Sequence, residues 1–292
     1  MTLTSLPKKP SSDIVSGNRL AGDDYSPEQL QLWYQQEENA FSDMDIGSDM
    51  TSTDPWYSYM RYLNEKLSKQ LLLKRWQCDK RLKVLILGPG NGADAEFLRN
   101  LYPEADFSFI EVSIDFQRIL SERYGQSSIV MPNFDNAIKL KDESIDLVVA
   151  FSVLHHIANV SFVVKEVSRV MRPGGLFITR EPCSSMGDWS KPRLATPNER
   201  GIAAHLLVEI ATQAGLQMSP DQRVTPVLFA PLNKILFKLR KYISISNKTI
   251  WVCDKFLSRV VSFNDWYWRD FWWKKIGPSA YFYAFEKTKT RI

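Results

Sequence analysis

The sequence predicts an α/β fold built on a doubly wound, mostly parallel sheet of seven strands. From residue 83 onward, short apolar segments of strand type alternate with amphipathic helical patterns. Repeated β-α-β units of this kind imply a parallel sheet that carries helices on both faces. A second observation is the run VLILGPGNG at residues 84–92, in which an apolar strand breaks into three alternating glycines before a helix begins. The predicted strands span residues 83–87, 106–111, 128–131, 144–151, 175–180, 217–228 and 281–286.

The composition indicates a globular protein with one large domain and additions to it. The chain has 292 residues, of which 44% are hydrophobic. No apolar stretch reaches the roughly 18 residues that a membrane span needs, and the N-terminus lacks the apolar core of a secretory signal. Cys78, Cys183 and Cys253 are widely spaced and form neither a metal pattern nor a disulfide framework. We therefore expect reduced cysteines and a cytoplasmic protein.

Four regions are predicted along the chain. Residues 1–27 are rich in Ser, Pro, Gly, Asp and Lys without periodicity, which predicts a flexible tail. Residues 28–80 contain two helical patterns and form a predicted N-terminal helical cap. The core comprises residues 81–228 and 279–292. Residues 229–278 are an insertion between the sixth and seventh strands, and long insertions of this kind usually have a function of their own.

The insertion lies in the basic and aromatic part of the chain. Residues 222–292 hold 14 Lys and Arg against 4 Asp and Glu, and five of the nine Trp. Residues 232–243 predict a helix with an apolar arc opposite a basic side. One interpretation is a lid that packs on the rim of the sheet and exposes a solvated basic face. The other is a lid over a ligand site, which binds an anionic or amphipathic ligand and contacts a membrane surface through residues 232–243.

The glycine turn and an acid that follows it predict a ligand site. Gly88, Gly90 and Gly92 lack side chains, so a ligand can lie against the backbone beside the positive end of a helix. Glu111 ends the second predicted strand, 23 residues after Gly88. An acid about 20 residues beyond such glycines accepts hydrogen bonds from ribose hydroxyls in dinucleotide-type folds. The alternatives are an ordinary tight turn and a surface glutamate.

Two consecutive histidines, His155 and His156, follow the fourth predicted strand and are candidates for a general base near neutral pH. The structural alternative is that one histidine packs and the other hydrogen-bonds locally. Glu181, at the tip of the fifth strand, and Asp188 are further candidate bases. Cys183 is interpreted as an inert loop cysteine. A helix with Thr196 as its N-cap is predicted before the sixth strand.

Taken together, these motifs resemble the class I S-adenosylmethionine-dependent methyltransferases of the small-molecule type. The resemblance rests on the glycine turn, Glu111, the strand SIDLVVAFSVLHHI and the segment RVMRPGGLFITREP, in that order. It covers about residues 60–228 and 280–288. It implies S-adenosyl-L-methionine as cofactor and a small-molecule acceptor that is methylated on oxygen or nitrogen. Candidate acceptors are a sugar, a glycolipid, a lipid precursor or a secondary metabolite.

The resemblance also assigns residues to the cofactor. Asp135 would contact the adenine amino group, and Phe134 would stack on the adenine ring. Phe151 and Ser152 would run alongside the sulfonium region. No metal site is predicted. The full implied set is Gly88, Pro89, Gly90, Asn91, Gly92, Glu111, Val112, Phe134, Asp135, Phe151 and Ser152.

One departure from the family pattern leaves alternatives open. Many members have an Asp two residues before the first glycine, where this chain has Ile86. Aminopropyltransferases tolerate an aliphatic residue there, but they need an acidic pair where this chain has FSVLHH. A dehydrogenase would prefer G-x-G-x-x-G. Two further alternatives are a nucleic-acid methyltransferase that uses the basic insertion, which we rank below a small-molecule enzyme, and a non-catalytic partner subunit with the same fold.

Overall fold

The computed structural model describes residues 10–42, 55–78, 80–186, 196–219, 225–229 and 245–288, with residues 235, 238 and 239. These residues form a layered α/β structure in which helices cover both faces of one sheet. The helices are α1 Ser12–Ser16, α2 Pro27–Ser42, α3 Pro55–Arg75, α4 Ala93–Leu101, α5 Ile114–Tyr124, α6 Val160–Val170, α7 Ala204–Gln213 and α8 Asn247–Val260.

The sheet confirms the predicted α/β class and most of the predicted strands. The strands are β1 Lys83–Leu87, β2 Asp106–Ile110, β3 Ile145–Phe151, β4 Met171–Pro182, β5 Leu216–Met218, β6 Thr225–Phe229 and β7 Pro278–Lys287. Their order is β2-β1-β3-β4-β7-β5, and β6 also pairs with β7. The β1–β2, β1–β3 and β3–β4 pairs are parallel, whereas β7 runs antiparallel to its neighbours.

The predicted strand at residues 128–131 is wrong. A short 3-10 turn, Gln126–Ser128, occupies its beginning. Beyond that turn the chain makes only an isolated bridge between Phe109 and Ile129, with one further hydrogen bond from the Val130 amide to the Phe109 carbonyl. Its four residues gave a strand-like apolar pattern, but too few of them pair with β2 to extend the sheet by a full strand.

The predicted sixth strand is divided into β5 and β6. Both pair with β7, β5 at residues 285–287 and β6 at residues 278–282. Since β4 occupies the other edge of β7, the sheet is six strands wide. The register places Phe229 opposite Pro278 and Pro182 opposite Ala280. Residue 229, the end of β6, therefore lies at the edge where β4 ends.

Alternate residues of the central strands face two separate cores. Leu85 and Val148 belong to a core beneath α6 and α7, whereas Val84 and Leu147 belong to a core beneath α3 and α4. This period of two is what a sheet covered on both faces requires. Ile86 is 2% exposed and packs in the second core.

The predicted flexible tail is wrong for residues 10–27. Helix α1 and the turns after it pack against the protein, and Ile14, Leu20 and Ala21 are buried in the first core. The Asp23 carboxylate accepts hydrogen bonds from the amide and hydroxyl of Ser161 at 2.8 and 2.5 Å, at the start of α6. Polar composition misled the prediction, because a few apolar residues are enough to anchor this segment. Residues 1–9 lie outside the described part.

The two cap helices lie on opposite faces of the sheet. Trp33 of α2 packs into the first core, and its indole donates a 2.6 Å hydrogen bond to the His156 carbonyl. Helix α3 packs Tyr59, Leu63 and Leu67 into the second core. The cap therefore approaches the edge of the sheet from both faces.

The helix predicted to begin after Thr196 begins instead at Ala204. Residues 196–203 use their polar groups for long-range contacts. The Asn198 amide donates to Gln36 of α2. The Arg200 guanidinium donates to the carbonyls of Ala21 and His155. These contacts compete with the helical capping pattern that the sequence shows.

The described part of the insertion is built into the fold. Ile250 of α8 is fully buried in the second core, and Tyr267 is buried in the first. The Tyr59 hydroxyl lies 2.6 Å from a carboxylate oxygen of Asp254. The predicted helix at residues 232–243 lies almost entirely outside the described residues. Among the described helices, none combines the length and apolarity that a membrane span requires.

Candidate active site

A cavity of about 770 Å³ opens at the carboxyl ends of the parallel strands. Its lining includes Gly88 after β1, Glu111 after β2, Ser152 after β3 and Pro182 at the end of β4. This edge is where open parallel sheets bind their ligands, and the volume is typical of a small-molecule site.

The glycine turn contributes an open stretch of backbone to the cavity. Gly88 and Gly90 have φ angles of +54° and +55°, in the left-handed region that favours glycine. A Cβ on Gly88 would lie 2.7 Å from a methyl carbon of Val153, whereas a Cβ on Gly90 would have nothing within 4 Å. Gly90 therefore leaves room for a ligand against the backbone at the N-terminal end of α4. Pro89 and Asn91 also line the cavity, but Gly92 does not.

Glu111 lies in the cavity with most of its side chain buried. Its two carboxylate oxygens accept hydrogen bonds from the amides of Gly90 at 2.9 Å and Ser113 at 3.0 Å. Burial raises the pKa of Glu111, while these backbone donors act in the opposite direction. Val112 lies beside it in the cavity wall. Each oxygen of a carboxylate has two lone pairs, so Glu111 keeps acceptor capacity for ligand hydroxyls.

The loop after the 3-10 turn at 126–128 does not place the predicted adenine contacts in the cavity. Phe134 is exposed, and the Asp135 carboxylate accepts a 2.9 Å hydrogen bond from the Ala137 amide. Neither residue lines the cavity; their neighbours Asn133 and Asn136 do.

Phe151 and Ser152 line the cavity, and Ser152 has an unusual backbone conformation. Its φ of +58° is rare for a residue with a side chain. The Ser152 hydroxyl accepts a 2.6 Å hydrogen bond from Arg180, and the guanidinium also donates to Asn64 at 2.9 Å. Burial lowers the pKa of Arg180 to about 10, against the opposing effect of nearby acids. Arg180 therefore remains cationic at neutral pH.

Asp94 provides a carboxylate beside the glycine turn, where Ile86 cannot. It lies in the first turn of α4 and lines the cavity. Burial raises its pKa, and the charge of Arg180 and a hydrogen bond from Asn64 oppose that shift. The cavity thus holds an acid and a guanidinium side by side, both within reach of Asn64.

His155 is held between two carboxylates. Its Nδ1 lies 2.7 Å from Glu181 Oε2 and its Nε2 lies 3.6 Å from Glu199 Oε1. Burial acts to lower the pKa of His155, but the two acids outweigh it and the pKa is raised. Burial likewise acts to raise the pKa of Glu181, which contact with His155 lowers instead. Because carboxylates engage both of its ring nitrogens, His155 is not an available base.

Glu181 also fixes the turn that carries both histidines. It is fully buried and accepts hydrogen bonds from the amides of Val153, Leu154 and His155 at 3.0, 3.0 and 3.3 Å. The 3-10 turn Leu154–His156 is therefore bound to the end of β4 through one side chain. Its role is structural, although sequence analysis included it among the candidate bases.

His156 has the features of a neutral base. Its Nδ1 lies 3.1 Å from Glu37 Oε2 and 3.2 Å from the Thr196 hydroxyl. Burial lowers the pKa of His156, and the neighbouring His155 charge lowers it further. A proton on Nδ1, donated to Glu37, leaves the lone pair on Nε2. Phe41 of α2 packs edge-on against the ring at 5.1 Å.

Cys183, another sequence candidate, does not line the cavity. Cys183 is buried, and burial raises the pKa of its thiol well above the ordinary value. It is therefore an inert thiol, as interpreted from the sequence. Asp188 lies outside the described residues.

One group of side chains could hold a metal ion by proximity alone. His155, His156 and Glu199 each have a ligand atom within 4.8 Å of the others. However, both ring nitrogens of His155 already face carboxylates, which a proton on each nitrogen satisfies.

The described part of the insertion does not reach the cavity. The cavity lining includes Ser279 and Ala280 of β7 but no described residue between 245 and 278. Trp33, Tyr34 and Phe41 of α2 line the cavity instead. A role of residues 230–244 over the cavity stays a prediction.

Several cavity residues were missed by the sequence analysis. Asp94 had a local signal, since it is an acid in the first turn of the helix that follows the glycines. Asn64, Arg180 and Glu199 had no local sequence signal that distinguishes them from the other polar residues of the chain. Glu37 lies 119 residues before its partner His156, so only tertiary structure brings them together.

Comparison with known proteins identifies the class. Residues 85–179 match the family model described as methyltransferase domain. These residues include the glycine turn, Glu111 and the His155–His156 turn. Residues 85–179 therefore contain a methyltransferase domain, and S-adenosylmethionine is the cofactor of that domain family. No curated protein sequence matches the chain.

Solved structures share the fold at low sequence identity. A proposed sarcosine dimethylglycine methyltransferase from Galdieria sulphuraria is 17% identical over 79% of this chain and 86% of its own, with a TM-score of 0.52. Phosphoethanolamine N-methyltransferase 2 from Haemonchus contortus, solved with S-adenosyl-L-methionine, is 14% identical over 93% of this chain and 61% of its own, with a TM-score of 0.54. The [4+2]-cyclase SpnF is 14% identical over 92% of this chain and 98% of its own, with a TM-score of 0.55.

Proposed function

We propose that this methyltransferase transfers a methyl group to an oxygen or nitrogen of a small molecule, which binds in the cavity beside His156. The observation that carries the proposal is that one cavity holds both the glycine turn with Glu111 and the Glu37–His156 pair. The glycine turn and Glu111, which would bind the cofactor, therefore line the same cavity of about 770 Å³ as His156, the proposed base. A sugar, glycolipid, lipid precursor or secondary metabolite all remain within this proposal.

The cavity fits the cofactor at each of its polar ends. Glu111 would accept hydrogen bonds from the ribose hydroxyls, and the open backbone at Gly90 would lie against the methionine part. The zwitterionic methionine end needs one acid and one base. Asp94 and Arg180 supply that pair, so the absence of an acid at Ile86 is compensated from the next helix.

The bound cofactor supplies an electrophilic methyl group on a sulfonium. Methyl transfer then needs alignment of the acceptor and, for a protonated acceptor, removal of a proton. His156 can remove that proton because Glu37 orients its ring and burial keeps it neutral. Phe151, Ser152 and the aromatic residues of α2 would shape the space for the acceptor and exclude water.

The neighbours support a small acceptor rather than a macromolecule. Two of the solved relatives are named for action on small amines, sarcosine or dimethylglycine and phosphoethanolamine. The cyclase shares the fold with a different named reaction, so fold alone does not settle the chemistry. The cavity, which α2 helps to line, has the volume of a small-molecule site, and this favours a small molecule over a nucleic-acid strand.

Peripheral membrane contact is a further part of the proposal. Helix α8 exposes an apolar stripe of Val252, Phe256 and Val260 at helical spacing, and Phe256 is 68% exposed. Beyond it, Phe263 is 86% and Trp272 is 74% exposed. Exposed aromatic residues with lysines nearby are typical of surfaces that bind amphipathic or anionic partners.

The direct test uses the purified protein with methyl-labelled S-adenosylmethionine and pools of small molecules. The proposal expects S-adenosylhomocysteine to accumulate together with a labelled small product. A His156→Ala variant should bind S-adenosylhomocysteine normally but release little labelled product. Binding without transfer to any pool would favour the non-catalytic partner alternative, and transfer to RNA alone would favour the nucleic-acid alternative.

A further inference from the structure

We propose that the methyl acceptor is an amine, whose ammonium group binds Glu37 Oε1 before His156 removes a proton from it. This inference rests on the proposed function and adds the substrate class. It follows from an unsatisfied acid in the cavity, from the aromatic residues around that acid, and from the neutral base to which the acid is bonded.

The first observation is the state of the Glu37 carboxylate. The residue is 4% exposed and lines the cavity. Its Oε2 contacts His156 Nδ1 at 3.1 Å, whereas its Oε1 is buried without a hydrogen-bond partner among the described residues. A buried carboxylate oxygen is costly to leave unpaired. A ligand that donates a hydrogen bond to Oε1 removes that cost.

The second observation is that the surrounding basic side chains are already engaged. Arg200 interacts with Glu37 electrostatically, but its guanidinium donates to backbone carbonyls and covers the Trp33 ring at 5.2 Å. The His155 imidazole is held by Glu181 and Glu199. Neither side chain donates a hydrogen bond to Glu37 Oε1.

The third observation is the aromatic character of this end of the cavity. Trp33, Tyr34 and Phe41 of α2 line it together with Glu37. Aromatic faces attract cations, and the attraction is strongest where water is excluded. A carboxylate within an aromatic wall is suited to an ammonium group. A neutral hydroxyl would satisfy one lone pair of Oε1 but would bring no positive charge to the carboxylate.

The transfer step is balanced with the groups present. His156 Nε2 takes one proton from the ammonium group and leaves a neutral amine with a free lone pair. The nitrogen forms the new bond to the methyl carbon while the carbon–sulfur bond breaks, and that bonding pair stays on sulfur. The product is an N-methylated ammonium and a neutral thioether, and His156 later returns its proton to water.

The experiment sorts acceptors by charge and so does not require their identity. A small-molecule extract is separated on ion exchangers into cationic, neutral and anionic fractions. Each fraction is incubated with the whole protein and methyl-labelled S-adenosylmethionine. We expect label in products of the cationic fraction that remain cationic. Label confined to neutral or anionic products, or no labelled cationic product, would overturn the inference.

Variants of α2 separate the role of Glu37 from general damage. Glu37→Gln preserves size and should lower label in the cationic fraction by about 10- to 150-fold, because a hydrogen bond to a charged group is lost. Affinity for S-adenosylhomocysteine should change by less than about twofold. Glu28→Gln, which changes an exposed acid on the same helix, is the matched control and should leave both unchanged. Equal labelling by Glu37→Gln and the unmodified protein would contradict the assignment.

Failure of the proposed function would look different from failure of this inference. If the protein bound no S-adenosylhomocysteine and labelled no fraction, both the proposed function and the amine inference would be wrong. If it bound S-adenosylhomocysteine and labelled neutral products, only the amine inference would fall. Co-purification of one divalent metal ion per chain, lost in Glu37→Gln, would also overturn it, since Glu37 would then be a metal ligand.

Discussion

Two carboxylates that line the cavity, Glu111 and Glu37, are the contacts we propose for the cofactor and for the acceptor. Glu111 bonds the amides of Gly90 and Ser113 and so couples the glycine turn to the end of β2. Glu37 bonds His156 and so couples the cap to the turn after β3. At the scale of single residues, each acid has structural partners and a remaining lone-pair direction for a ligand.

We expect Glu111→Gln to weaken S-adenosylhomocysteine binding by about 10- to 150-fold, or about 1.5–3 kcal/mol, because the ribose hydroxyls lose a charged acceptor. Isothermal titration calorimetry measures this directly. Glu122→Gln, which changes an exposed acid on α5, is the control. An unchanged affinity in a folded Glu111→Gln protein would remove Glu111 from the cofactor site.

The two histidines should respond differently to substitution. His156→Ala should lower turnover by about 10²- to 10⁴-fold with near-normal stability, because it removes the general base. His155→Ala should instead lower stability by about 3–5 kcal/mol, because it leaves Glu181 buried without its partner. Turnover and denaturant unfolding of both variants test this. Near-normal turnover in His156→Ala would mean that alignment alone drives the reaction.

At the scale of elements, the turn Leu154–His156 depends on the end of β4. Glu181 receives three amide hydrogen bonds from this segment and one contact from the His155 ring. The pair therefore both anchors the turn and brings two opposite charges together. His155 has a raised pKa and Glu181 a lowered one. The contribution of this pair to the free energy of unfolding is therefore lost both at low pH and at high pH.

We expect the stability lost in Glu181→Gln to be largest between pH 4.5 and 6.5, the ordinary pKa values of the two groups. A raised His155 pKa contributes fully below pH 6.5 and is lost as pH rises through its folded value. A lowered Glu181 pKa contributes above pH 4.5 and is lost as pH falls through its folded value. Melting temperatures of both proteins across pH measure the difference. A difference that is constant with pH would contradict the charged pair.

The exposed stripe of α8 makes a separate prediction. Phe256→Ser should lower binding to anionic phospholipid vesicles by about tenfold, because burial of a phenylalanine side chain contributes about 1.5–3 kcal/mol. Added salt should weaken binding of the unmodified protein through screening of the nearby lysines. Phe162→Ser, on α6 at the opposite face of the sheet, is the control. If Phe256→Ser and Phe162→Ser bound vesicles equally well, α8 would not be a membrane contact.

At the scale of the whole molecule, the sequence predicted what depends on local pattern. The strand, glycine turn and helix around Gly88, and the acid at Glu111, are local signals that the structure places in one cavity. The division of the predicted sixth strand into β5 and β6 was not predictable, since it depends on how each part pairs with β7. Burial of residues 10–27 depends on a few apolar anchors such as Ile14 rather than on composition.

The acceptor side could not be predicted, because it is assembled from distant segments. Glu37 and Trp33 of α2, His156 after β3 and Glu199 before α7 meet only in the folded protein. The sequence supplied the histidines but not which of them is free to act. That distinction comes from Glu181 and Glu37, since the two rings have opposite pKa shifts.

Hydrogen–deuterium exchange with and without saturating S-adenosylhomocysteine tests most directly the central claim, that one cofactor site is built from these separated segments. The account predicts slower exchange at residues 88–94, 111–113 and 151–156 together, and in α2, with little change in α6. Protection confined to other segments, or binding without protection of residues 88–94 and 111–113, would contradict it.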